Sequence, residues 1–126
     1  MFKFVYGILP AIISYTDDMS EDFAGITKRF IIKIRLKNRN DNGLLQHELV
    51  HVKQWYRTFM LHSLLYNLSK KYRLNSEIEA YIVQLKVNKE EGKEDYIDFY
   101  AKRITEIYNL SLTTFEVKEI LEDGLL

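Results

Sequence analysis

Residues 47–51 read His-Glu-Leu-Val-His, two imidazoles four positions apart with a carboxylate beside the first. On an α-helix, positions i and i+4 lie about 40° apart and one turn along the axis, so both rings leave the same side. Two ring nitrogens placed like this can chelate one zinc ion, and Glu48 can reach a water at the ion's open position. The chemistry implied is hydrolysis. Zinc lowers the pKa of that water to about 7, and Glu48 takes its proton as it attacks a polarised carbonyl. The competing explanation is an ordinary helix with two histidines at this spacing by chance. Context argues against it, because Glu48 points towards the apolar sector of Val52 and Trp55, where a carboxylate is costly unless something pairs with it.

A site of this kind needs a third protein ligand. The chain has no cysteine and only three histidines, so the choice narrows to His, Asp and Glu. Six residues past His51, where a metzincin carries another His, stands Arg57, which excludes that class. His62 lies nearly three turns further on and reads as a surface or helix-end residue. The better source is Ser76-Glu-Ile-Glu-Ala-Tyr-Ile82, a second helical segment with two carboxylates.

The strings Gly43-Leu-Leu-Gln-His-Glu-Leu-Val-His-Val-Lys-Gln-Trp55 and Ser76-Glu-Ile-Glu-Ala-Tyr81 resemble the gluzincin branch of zinc metallopeptidases. More closely, they resemble small metallopeptidase-like proteins of bacteria and phages. The resemblance is specific over residues 43–82 and diffuse outside them. In that branch the third ligand is a Glu on the next helix, with a small residue three positions later. Carried onto this chain, the pattern falls on Glu77 and Ala80. The helical wheel agrees independently, grouping Glu77 with Ala80, Tyr81 and Gln84, whereas Glu79 shares its side with Lys86 and reads as solvated. Several gluzincins place an acidic residue four positions after the Glu ligand to orient one His; here that position is Tyr81. Tyr81 and Glu79 therefore stand as supporting or substrate-binding candidates. Tyr66, Tyr72, Arg73 and Tyr81 are candidates for stabilising a transition state by their proximity to the motifs. The resemblance implies a minimal zincin-like fold, a peptide or protein substrate and a bacterial or phage-infected cytoplasm, with association with a virion as the other setting.

The elements that must position these residues follow from periodicity. Met1–Tyr15 is an apolar run behind one Lys, too short to span a bilayer and lacking a small-x-small cleavage pattern; it reads as a strand and turn. Gly25–Leu36 is β-branched and partly alternating, with Ile32, Ile34 and Leu36 opposite Ile31, Lys33 and Arg35, which predicts a half-buried strand. If the part around Phe30 to Leu36 runs beside the active helix, its edge could pair with an extended peptide; covering the core is the alternative. Asp41 or Asn42 can cap a helix from Leu44 to about Leu61 whose apolar face carries Leu44, Val52, Trp55 and Phe59. Further helices are predicted from His62 to Tyr72, from Ser76 (as N-cap) to Asn88, from Asp95 to Tyr108, and from Thr113 or Thr114 to Leu121. No repeat or linker interrupts the chain. We expect one α+β domain over residues 1–126, a short N-terminal sheet or hairpin packed on four to five helices.

With 18 basic and 18 acidic residues, no global field favours nucleic acid or an anionic membrane, and neither is expected as a partner. Lys28, Arg29, Lys33, Arg35, Lys37 and Arg39 fit a solvated sheet face better than a nucleic-acid surface. Two functions remain. One is a zinc-dependent peptidase or amidase; the other is a zinc-binding structural or interaction protein without catalysis, such as a phage particle component. A fourth zinc position crowded by a protein side chain would favour the second.

Overall fold

The alternating apolar residues of the first 34 positions form four strands, β1 (Phe2–Val5), β2 (Leu9–Tyr15), β3 (Gly25–Lys28) and β4 (Ile31–Ile34). Helices follow: α1 (Asn42–Arg57), α2 (His62–Leu68), α3 (Lys70–Glu90), α4 (Ile97–Ile107) and α5 (Thr114–Gly124). The structure is a computed structural model and describes residues 1–107 and 112–126. The class is α+β, as the pattern predicts.

The sheet order is β1-β2-β4-β3, with β2 and β4 parallel and the other pairs antiparallel. The predicted single strand over Gly25–Leu36 is instead a hairpin. Arg29 takes a left-handed backbone (φ 60°) and Lys28 pairs with Ile31, so Arg29 and Phe30 form the apex. This puts β4 inside the sheet and leaves β3 as an outer strand, so the edge expected of the Phe30–Leu36 segment belongs to β3. Ile32 and Ile34 are buried as predicted, but Leu36 falls in a 3-10 turn after the strand and is exposed.

Two apolar clusters make the core. Sheet residues Val5, Ala11, Ile13, Ile32 and Ile34 pack on Leu44, Leu49 and Val52 of α1. Ile78, Tyr81 and Leu85 of α3 pack instead on α4 and α5. Helices α1 and α3 thus back onto different clusters and meet each other along a polar seam. They can come close because the contact residues are small. Ala80 is fully buried, and a Cβ on Gly43 would run into the Asn88 side chain.

Helix ends follow local chemistry. The Asp41 carboxylate accepts the Leu44 N–H at 2.9 Å and caps α1. The chain leaves α1 after Arg57, through Phe59 and Met60 at positive φ, so Phe59 is exposed rather than on the buried face. The break predicted near Arg73–Asn75 lies earlier, at Ser69, whose hydroxyl accepts the Tyr72 N–H. Nothing between 73 and 75 is a strong breaker, so α3 runs on and Ser76 is an interior residue, not a cap. Thr113 and Glu116 form a capping box at α5. The predicted end of the fourth helix at Tyr108 lies outside the described residues.

Candidate metal centre

The helical spacing of His47, Glu48 and His51 places all three in the seam, 5%, 4% and 7% exposed, and α3 brings Glu77 (3%) against them. His47 Nε2 lies 3.5 Å from Glu77 Oε2, and His51 Nε2 lies 3.4 Å from Glu77 Oε1. One ligand atom from each residue falls within 4.8 Å of the others. Donors about 2.0–2.1 Å from a tetrahedral zinc would sit roughly 3.3 Å apart, so the spacing suits such an ion. A second observation fits a cation. Glu77 Oε2 is fully buried and accepts no hydrogen bond among the described residues, a costly state for a carboxylate oxygen. The donor set fits zinc.

The surroundings hold these side chains in place. Gln54, one turn past His51, accepts from His51 Nδ1 at 2.9 Å, which leaves Nε2 facing Glu77. Ser76 of α3 locks Gln54 from both ends: its hydroxyl donates to Gln54 Oε1 (2.6 Å), and its carbonyl accepts from Gln54 Nε2 (3.1 Å). A neutral amide thus orients one imidazole. Tyr81 instead packs its ring edge-to-face on His47, centroids 4.4 Å apart. Tyr66 of α2 donates its hydroxyl to Glu77 Oε1 at 2.7 Å.

Glu48 is steadied by the outer strand. The Thr27 hydroxyl donates to Glu48 Oε2 at 2.6 Å, and a Cβ on Gly25 would stand 3.1 Å from Glu48 Oε1. Two residues apart on β3, both point at the helix, and the glycine lets the strand approach the carboxylate. This is the pairing that a carboxylate in an apolar sector requires.

Electrostatics follow from these contacts. Burial alone would raise the Glu77 carboxyl, but the charge of His51 and the close approach of both imidazoles outweigh it and hold it well below the usual range. Burial would likewise lower His51, yet Glu77, with help from Glu48 and Gln54, pushes it up to about 9. Burial and the neighbouring His51 charge push His62 down to about 4. Burial, with Glu77, raises the Tyr81 phenol.

The structure brings together His47, His51, Glu48 and Glu77, with Tyr81 and Tyr66 against them. It does not bring Glu79, which is half exposed and pairs with Arg57 at 2.9 Å on the outside of α3. Tyr72 bonds His62 at 2.7 Å, and Arg73 donates to the carbonyls of Tyr66 and Asn67, bracing α2 from outside the site. His62 corrects the linear estimate. The turn at Phe59–Met60 folds α2 back, so its ring lies 5.8 Å from that of His51 and lines the same cavity. Reasoning from sequence missed Gly25, Thr27, Gln54 and Ser76. A polar residue three after His51 on a buried helix face was the one signal that could have pointed to Gln54.

A cavity of about 250 Å³ opens on the three candidate ligands and Glu48, walled by β3 on one side and by His62, Ser63, Tyr66 and Asn67 of α2 on the other. Among the described residues no fourth protein ligand joins the set. No family model, curated protein or solved structure matches the chain.

Proposed function

We propose that the protein is a zinc-dependent hydrolase of peptide or amide bonds, akin to gluzincins, with His47, His51 and Glu77 as ligands. The observation that carries this reading is a buried three-donor set that a cavity reaches, with no fourth ligand joining it among the described residues. Bound there, zinc supplies the Lewis acidity that polarises a carbonyl and makes water nucleophilic near neutral pH. Glu48 accepts the proton of the attacking water at Oε1, the oxygen Thr27 does not hold, and can return it to the leaving amine. Thr27 and Gly25 fix that carboxylate, while Gln54 fixes the His51 ring. An extended peptide is the substrate form β3 suits. The Arg35 N–H donates to the Ala24 carbonyl (2.8 Å), so by strand alternation the main-chain groups of Gly25 and Thr27 point away from β4, along the rim of the cavity.

The test is metal analysis with hydrolysis of a mixture of quenched peptides. Stoichiometric zinc should be present and should be lost in His47→Ala. Glu48→Gln should keep zinc and lose hydrolysis by a factor of about 10² or more. Hydrolysis unchanged in Glu48→Gln overturns the mechanism. Zinc retained without hydrolysis by the unaltered protein would leave the structural zinc protein instead.

A further inference from the structure

Helix α2 is amphipathic in the reverse of the usual sense. Its polar and aromatic side, with His62 and Tyr66, faces the cavity, while Leu61, Leu64, Leu65 and Leu68 are 52%, 55%, 36% and 77% exposed. Positions 61, 64, 65 and 68 fall on one stripe of a helix, and no residue of α2 is buried. Directly before it, Phe59 (87%) and Met60 (66%) are turned into solvent by left-handed backbone, which side chains of this size rarely adopt. Six consecutive-stretch apolar residues in water exceed the scattered exposure normal for a surface.

The charge of the same stretch is one-sided. Between Glu48 and Glu77 there is no Asp or Glu, yet there are Lys53, Arg57, Lys70, Lys71 and Arg73. The balanced net charge of the chain conceals this. Lys70 and Lys71 are exposed and form no ion pair among the described residues. Arg57 is paired with the half-exposed Glu79, so Lys70 and Lys71 are the cations that give the end of the stripe its charge, and a second copy docked by the same stripe would set like charges together. An apolar stripe followed by cations suits an anionic amphiphilic surface. Side chains that protrude this far can enter a fluid bilayer without a preformed groove.

We propose that residues 59–71 form a docking surface for an anionic lipid bilayer, with Phe59, Met60 and the α2 leucines entering the interface and Lys70 and Lys71 meeting the headgroup phosphates. Docking holds the cavity, whose wall is the opposite side of α2, next to the bilayer. This does not depend on the zinc reading.

The test is co-sedimentation of the full chain with vesicles of phosphatidylcholine alone and of phosphatidylcholine mixed with phosphatidylglycerol. Binding should appear with the anionic vesicles, weaken as salt is raised, and be near background with phosphatidylcholine alone. Each of Lys70→Gln and Lys71→Gln should lower partitioning about five-fold, and Leu64→Ser with Leu68→Ser should abolish it. These positions are exposed, so fold and metal content, checked by circular dichroism and metal analysis, should be unchanged. Absence of sedimentation with anionic vesicles overturns the proposal, as does binding that the four substitutions leave intact. A concentration-dependent dimer lost in the leucine variant, without vesicle binding, overturns it in favour of self-association.

Discussion

Because His51 must be neutral to ligate, the raised basicity that Glu77 gives it makes metal affinity depend steeply on pH. With a pKa of about 9 in the metal-free protein, His51 is neutral in roughly one molecule in a hundred at pH 7. Zinc affinity should therefore tighten about ten-fold per pH unit from 6.5 to 8.5. A histidine at its ordinary 6.5 would give a nearly flat profile over most of that window. The assay is competition with a chelator of known affinity, corrected for its own protonation, with calorimetry in two buffers to count the His51 proton released. Glu77→Gln removes the main influence raising His51, so that variant should bind more weakly but with a flatter profile. The signs for stability run both ways. Stabilisation from His51 is fully present below 6.5 and is lost as pH rises through about 9. The contribution of Glu77 is present above 4.5 and is lost as pH falls through its depressed folded value. The metal-free protein should thus be most stable from about pH 4.5 to 6.5 as far as this pair is concerned. Zinc affinity equal within two-fold at pH 7 and 8.5 would refute the reasoning, since it would mean that Glu77 does not hold a proton on His51.

Gln54→Leu keeps the approximate volume but removes the acceptor for His51 Nδ1, and zinc affinity should fall about 10- to 100-fold. Gln54→Glu, which keeps an acceptor, should restore most of it; equal affinity in the Leu variant would mean that the amide only fills space. Thr27→Val removes the hydroxyl that bonds the buried Glu48 carboxylate and should cost about 1–3 kcal/mol in urea unfolding. Hydrolysis should fall in that variant with zinc content intact, and a protein unchanged in both would show that Glu48 does not need the strand.

Local periodicity was enough to bring the two histidines together, because an i,i+4 pair on a helix meets by geometry whatever the rest of the chain does. It also separated Glu77 from Glu79, since the seam favours one side of α3 and the other side is left to Arg57. The contacts it could not reach are those that depend on how distant segments meet. Ser76 has the identity of a helix cap, but α3 already starts at Lys70, so its hydroxyl is free to bind Gln54 instead. His62 looked remote because a continuing helix was assumed; two residues of left-handed backbone bring it back to the cavity.

The leucines of α2 follow a helical stripe yet stand in solvent, since apolar periodicity gives a face but not its direction. These results share one cause. The two apolar clusters bury the backs of α1 and α3 and leave between them a buried seam lined with carboxylate, imidazole and amide. In such a place an unpartnered polar group is costly. Gln54 and Ser76 find each other, and Thr27 finds Glu48. Glu77 Oε2 lacks a hydrogen bond among the described residues, and the donors around it have the spacing of a single cation.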